Sequence, residues 1–389
     1  MRVPLEGVFS GIVRFGAGIA LLALPLLAQS TVPPNLVGQW HFDEGAGTTT
    51  VDSAGSSTGT LTGTVAWVPG LWGTAVRPDG SSGFVNFGSQ AALNVAASAP
   101  FSIAGWINIP ASETAGPIVS LRHSVNDQPV VDICVGFDGV TTVNGNLQAL
   151  VRDNSGAAFA EVSSGTTVVN DGAWHHFALT RNAGSQIELF LDGVSRGTSS
   201  AAGSGGAITT DRRAFGAELR WIQVAANTAN QQFLNGTIEE VQFYARQLSS
   251  ADIQTLAAPP APTGLAATGG NGTVDLSWNA APTATSYVVK RGTAAIGPFS
   301  AVGSPTSGTT FTDGSATNGT TWFYVVDAVN GTKTSADSNA VSATPVAPVP
   351  KGPPGDPNRC GCGTAGPANP AVFFLALVLA AGALLGGRR

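Results

Sequence analysis

The chain has 389 residues, 43% hydrophobic and 11% charged, with 18 Lys and Arg against 24 Asp and Glu for a net charge of −6. That apolar fraction supports packed cores and excludes a disordered chain. The sparse, net-negative charge excludes a nucleic-acid binder, which needs a Lys/Arg face to neutralise phosphates. The 50 Gly, 24 Pro and abundant Ser and Thr point to extracellular β-structure rich in turns.

Residues 1–30 read as a secretory signal peptide. Arg2 and Arg14 flank an apolar run from Phe15 to Leu27, and Ala28 and Ser30 place small residues at the −3 and −1 positions of a cut before Thr31. Pro25 and the shortness of the run disfavour an uncleaved anchor helix. From residue 35 onward, turn signals are dense. Asn-Gly begins at 144, 235, 271, 318 and 330, and Asp-Gly at 79, 138, 171, 192 and 313. These dipeptides accept the positive φ that closes hairpins. Apolar residues alternate between them, as in Phe101, Ile103, Ile107 and Ile109, or Ile187, Leu189 and Leu191. This is strand periodicity. One helix is predicted over Ser249 to Ala257. Ser249 and Asp252 form a capping box, Ile253 and Leu256 an apolar stripe, and Pro259, Pro260 and Pro262 end the helix at a domain boundary.

Several motifs occur in a fixed order: Gln39-Trp40-His41-Phe42-Asp43-Glu44-Gly45, then Phe101-Ser102-Ile103-Ala104-Gly105-Trp106. They continue with Asp171-Gly172-Ala173-Trp174-His175-His176, Leu189-Phe190-Leu191-Asp192-Gly193 and Asn235-Gly236-Thr237-Ile238-Glu239-Glu240. In combination, residues 35–257 resemble the laminin-G-like jelly roll of the concanavalin A-like lectin/glucanase superfamily. The resemblance implies two antiparallel sheets packed face to face, with one curved face available to a glycan or an extracellular protein. It also implies a structural Ca²⁺ held by Glu239 as the closing acid, with Asp43 or Asp52 as companions. The alternative reading of these three is solvated surface carboxylates. The superfamily usually closes with Asp-Glu where this chain has Glu239-Glu240.

Residues 259–346 resemble a fibronectin type III module. Val274, Leu276 and Trp278 alternate into a core, as do Tyr287 with Val289, and Trp322 with Tyr324, Val326 and Ala328. Trp322 stands where the family has its tyrosine corner, and its indole N–H is expected to donate the corner hydrogen bond. Such a module is a spacer or a protein contact.

Residues 347–370 form a Pro-rich stalk containing Cys360-Gly361-Cys362, and residues 371–389 an apolar span ending in Arg388 and Arg389. The terminal arginines stay cytoplasmic, so everything before Ala371 faces outward. The order of Cys motif, apolar span and arginines resembles the C-terminal sorting signals of Gram-negative surface proteins, most closely the Cys-containing myxobacterial type. That implies a sorting protease, the membrane and display on the outer surface, with Cys360 and Cys362 as processing or lipidation sites. A disulfide across one residue would be strained, and a metal site would need two further ligands where only Asp356 stands near.

Other constellations carry a structural reading more readily than a chemical one. Neighbours on a strand face opposite ways, so Glu239 and Glu240 are not expected to flank one glycosidic bond. His175 shares its parity with Phe177 and Leu179 and is expected to satisfy backbone groups in the core. Cys134 lies in a strand pattern as a buried thiol. Gly55-Ser56-Ser57-Thr58-Gly59 matches a nucleophile elbow but lacks the strand and helix that an elbow requires. Trp67, Trp72, Trp106 and Trp221 are either a platform for sugar rings or core and rim. The sequence therefore reads as an all-β chain: a concanavalin A-like jelly-roll sandwich, then a fibronectin type III sandwich, with terminal signal and transmembrane segments. The expected function is non-catalytic binding of glycan or protein at the cell surface. The alternatives are a glycoside hydrolase or lyase and a purely structural envelope protein.

Overall fold

A computed structural model describes residues 33–348, apart from 125–127, 137–144, 220–231 and 332. The signal peptide, Trp221, the stalk motif with Cys360 and Cys362, the apolar tail, and Arg388 and Arg389 lie outside the described residues. Among those described, no helix is long and apolar enough to cross a membrane.

The architecture is all-β. Sheet I runs in the order Val194–Ser199, Ile187–Leu191, Trp174–Arg181, Phe101–Asn108, Thr237–Tyr244, Thr74–Pro78, Val65–Pro69, and Leu36–Trp40 also pairs with Thr237–Tyr244. Sheet II runs Ala160–Val168, Asn146–Arg152, Val130–Val135, Gly116–Arg122, Arg212–Phe215, Phe84–Asn86, Gly59–Thr62, Thr49–Thr50. Every pairing between these strands is antiparallel. The alternation seen in the sequence decides which side chains meet. Phe101, Ile103 and Ile107 from sheet I share one core with Val131, Ile133 and Val135 from sheet II. This is the sandwich that period-two patterning demands, since each sheet has one apolar face to bury.

The predicted helix forms over Ser250–Leu256 (α1). The Ser249 side chain accepts from Asp252 N, and the Asp252 carboxylate accepts from Ser249 N. α1 packs on the outer face of sheet I, where Ala104, Ala178, Phe190 and Tyr244 join Leu248 and Ile253 in a second small core.

The second sandwich pairs a sheet of Ala266–Gly269, Val274–Ser277 and Thr310–Asp313 with one of Ser300–Ala301, Ser286–Gly292, Trp322–Asn330, Lys333–Thr334 and Val341–Ala343. Its core holds Val274, Leu276, Trp278, Tyr287, Val289, Tyr324 and Val326. The expected corner bond is not made by Trp322, whose Nε1 has no partner. Arg291 instead stacks over the Trp322 ring at 4.0 Å. Tyr324, two residues on and fully buried, donates its hydroxyl to Asp313 Oδ2 at 2.8 Å.

One buried cation ties the loops of the first sandwich together. Arg181 is fully buried. It donates to the carbonyls of Ser204 and Gly206 at 3.1 Å, of Ala96 at 3.3 Å and of Ala99 at 2.6 Å. Burial lowers its pKa to about 10, so it stays charged at neutral pH. Arg181→Met would strand four carbonyls, and we expect a loss on the order of 3 kcal/mol in urea unfolding with little change in m-value.

Candidate functional site

The geometry of the site begins with a bulge in the closing strand. Ile238 and Val241 both point into the core. Strict alternation would place residues three apart on opposite faces. Two residues, Glu239 and Glu240, are therefore accommodated where one would fit, and both emerge on the outer face of sheet I. The register against Phe101–Asn108 shifts between Glu239 and Gln242, and Glu240 takes φ +53°. This corrects the expectation that the two acids face opposite ways.

The bulge assigns the two carboxylates different tasks. Glu239, fully buried, accepts from the backbone N–H of Leu71 at 2.6 Å and of Trp72 at 2.8 Å. Asp43 accepts from Thr74 N at 3.0 Å. Together they hold the Gly70–Gly73 turn, whose ends are glycine for a steric reason. A Cβ on Gly70 would lie 2.6 Å from the Glu239 carboxylate, and one on Gly73 would lie 2.2 Å from Asp43 Oδ1. Burial lifts the Glu239 pKa to about 7 against the lowering effect of the two amides, with Glu240 and Asp43 adding to the rise. Glu240 bonds His41 Nδ1 at 2.6 Å and accepts from Gln39 Nε2 at 3.3 Å. That hydrogen bond is the main reason the His41 pKa is raised.

The three residues expected to hold Ca²⁺ do not form a set that fits the ion. Asp52 is elsewhere, and its oxygens accept from the amides of Gln39, Ala54, Gly55 and Ser57 at 2.8–3.0 Å. Both oxygens of Glu239 are taken by amides, as is Oδ1 of Asp43. Among the described residues, no group of three or more His, Cys, Asp or Glu is arranged for a metal. A Ca²⁺ shell needs six to eight oxygens. These carboxylates bind chain N–H groups and are not merely solvated.

The turn they fix carries Trp72 onto an aromatic row. The Trp72 and Trp106 rings meet edge-on at 5.5 Å, and Trp106 meets His176 at 5.3 Å. Trp72 is 37% exposed, Trp106 only 4% and His176 1%. His176 Nδ1 has no hydrogen-bond partner, and burial drives its pKa down to about 3, so the ring is neutral. Gln39, Gln242 and Glu240 border the row in a cleft of ≈ 870 Å³, within the usual size range of small-molecule sites. His176, not His175, faces this cleft. The His175 ring bonds the carboxylates of Asp192 at 2.9 Å and Asp171 at 3.1 Å, which corrects the expectation that it satisfies backbone groups. The available signal was the alternation itself, which places His176 on the face opposite Phe177. Of the four tryptophans weighed as a platform, Trp72 and Trp106 line the cleft, and Trp67 donates to Gly47 O at 3.0 Å.

A second polar cluster lies on the outer face of sheet II, where Asp132 alternates with the core residues Val131 and Ile133. The buried Arg122 Nη2 contacts Asp132 Oδ2 and, at 2.6 Å, Glu218 Oε1, so the two carboxylates lie within about 5 Å of each other. Nothing in the local pattern points to this pairing, because Asp132 and Glu218 are far apart along the chain.

Residues 79–254 match the family model described as the concanavalin A-like lectin/glucanases superfamily. The chain carries a concanavalin A-like jelly-roll domain. Upstream of the matched segment, Leu36–Trp40, Val65–Pro69 and Thr74–Pro78 are strands of the same sheet I. The chain is 40% identical to an amylopullulanase of Thermoanaerobacterium saccharolyticum over 103 residues, 25% of this chain and 8% of the enzyme. It is 39% identical to a poly(3-hydroxybutyrate) depolymerase of Ralstonia pickettii over 120 residues, 30% of this chain and 23% of that enzyme. The chain thus spans less than a quarter of the length of these curated relatives. Among solved structures, an Fn3-like protein from Clostridium thermocellum is 37% identical, covering 24% of this chain and 99% of that one with a TM-score of 0.22. Domain 4 of the arabinanase AbnA from Geobacillus stearothermophilus is 19% identical, covering 57% and 98% with a TM-score of 0.43.

Three outcomes test this geometry. Asp52→Ala should cost on the order of 2–4 kcal/mol, by leaving buried amides unpaired. Thermal melts of the parent chain with and without a chelator should coincide. The third outcome concerns pH. The folded pKa of His176 lies below its unfolded value of 6.5, so its contribution is fully present above pH 6.5 and is lost as pH falls toward 3. His176→Phe should remove a slope of about 1.4 kcal/mol per pH unit in that window, measured as the difference between the two unfolding profiles.

Proposed function

We propose that this chain is a non-catalytic recognition protein whose jelly roll binds a neutral saccharide in the cleft over Trp72 and Trp106. One observation carries the reading: a part-exposed indole set edge-on against a second, with Gln39, Gln242 and Glu240 beside them. An aromatic face packs against the C–H face of a sugar ring, while amide and carboxylate groups take its hydroxyls. Membership of the matched domain in a lectin and glucanase superfamily supports this reading. The relatives named amylopullulanase and poly(3-hydroxybutyrate) depolymerase share only 6–23% of their length with this chain. That share is what an accessory module has in common with an enzyme. Export through residues 1–30 and surface sorting through Cys360, Cys362, Arg388 and Arg389 complete the proposal. Loss of surface display after joint replacement of Cys360 and Cys362 by Ala would test it.

A second reading is hydrolysis of a glycosidic bond on sheet II. It is favoured by the meeting of Asp132 and Glu218 at one guanidinium, which brings two acids as close together as a paired-carboxylate mechanism needs. Against it, both acids are buried and engaged by the guanidinium of Arg122.

For the full chain, calorimetry with maltoheptaose, cellohexaose and xylohexaose should find at least one ligand, and Trp72→Ala should weaken it at least tenfold. Reducing ends should not accumulate. Turnover that is lost in Glu218→Gln would replace the first reading with the second.

A further inference from the structure

We propose that the type III-like sandwich is one wall of the saccharide site, not a spacer, and that the completed cleft selects neutral over acidic sugar chains. This rests on the saccharide reading above and assigns the second sandwich a part in it.

The cleft has two sides. Trp72, Trp106 and His176 line it from the jelly roll, while Thr334 and Ala336 line it from the second sandwich. Between them run the C-terminal end of α1 and the linker, where Pro259 and Pro260 are buried. Buried prolines with fixed φ make a stiff connection, unlike the flexible linker of a tethered spacer.

The two sandwiches also meet at a defined corner. Lys333 Nζ donates to the Asp192 carbonyl, and a Cβ on Gly193 would lie 3.4 Å from both the Ala257 side chain and Lys333 Cδ. The Asp192 carboxylate in turn accepts from His176 N at 3.0 Å. The same turn therefore anchors the second sandwich and fixes the backbone of a cleft residue. Docking and cleft shape are set by one structural element.

His176 is the independent sign of a ligand. It is 1% exposed, lines the cleft and leaves Nδ1 without a partner. Buried polar atoms are rarely left so. The charge of the walls sets the ligand class. Among the described residues lining the cleft there is no Lys or Arg, and Glu240 stands at its edge. A uronic acid or phosphorylated sugar would meet a carboxylate and no cation, whereas hydroxyl groups find Gln, Thr and Glu partners. A ligand touching both walls must also stabilise their docking, since coupling between binding and domain contact is reciprocal.

The test uses the full chain. Maltoheptaose, cellohexaose, xylohexaose and an oligogalacturonate are titrated against the parent and against Trp72→Ala, Thr334→Trp, Ala336→Trp and, as a distant control, Thr312→Trp. Thr334→Trp and Ala336→Trp fill the cleft from the second sandwich alone. Each should weaken the best neutral ligand at least tenfold, while Thr312→Trp binds like the parent and the oligogalacturonate does not bind. Ligand should also slow hydrogen exchange in residues 257–263 and 333–336 of the parent chain. That measurement decides the matter if a Trp variant fails to fold. If Trp72→Ala loses binding while both wall variants keep it, or if exchange slows in the jelly roll only, the saccharide reading stands and this inference is overturned. If no variant changes binding, or the parent binds none of the probes, both fall. Binding of the oligogalacturonate in preference to the neutral chains overturns the selectivity.

Discussion

The site depends on one buried carboxylate. A buried carboxyl group needs hydrogen-bond partners for its oxygens, and the donors Glu239 finds are the amides of Leu71 and Trp72. Those bonds join the closing strand to a turn more than 160 residues earlier in the chain. They also orient Trp72 toward Trp106. The β-bulge makes this possible, because it brings Glu239 and Glu240 out on one face and lets one hold the turn while the other pairs with His41. An aromatic platform follows from a backbone irregularity and the polar accounting that irregularity forces.

A similar economy governs the rest of the jelly roll. Asp52 gathers three amides of its own loop and that of Gln39 on the strand Leu36–Trp40, and Arg181 gathers four carbonyls from two other loops. A chain with only 11% charged residues has placed several of them inside, as hubs for loop backbone. In each case the charge replaces water for groups that no sheet ladder reaches. The carboxylates expected to hold Ca²⁺ are used in the same way. Acids that read as metal ligands by resemblance were already committed to chain N–H groups.

The fold was legible because it rests on local signals. Period-two alternation, Asn-Gly and Asp-Gly turns, and the Ser249–Asp252 box each determine structure within a few residues, and the strands and α1 formed where those signals stood. The cleft was legible only in part. Trp72 and Trp106 were recognisable as aromatic candidates, but their meeting depends on a turn held from the far end of the domain. The bulge breaks the alternation rule that had separated Glu239 from Glu240, and no residue type announces it. The pairing of Asp132 with Glu218, and the contribution of Thr334 and Ala336 to a cleft in another sandwich, are long-range consequences of topology. The Trp322 corner failed differently. The resemblance pointed to Trp322, but Arg291 stacks on that ring, and the buried hydroxyl nearby, on Tyr324, donates to the Asp313 carboxylate.

The most direct measurement is amide exchange at Leu71 and Trp72 in the parent chain and in Glu239→Ala. If the carboxylate holds the turn, both amides are protected in the parent and exchange at least a hundredfold faster in the variant, while the Phe101–Asn108 strand keeps its protection. Equal exchange at the two amides in both proteins would contradict the account, because the turn that presents Trp72 would then stand without Glu239.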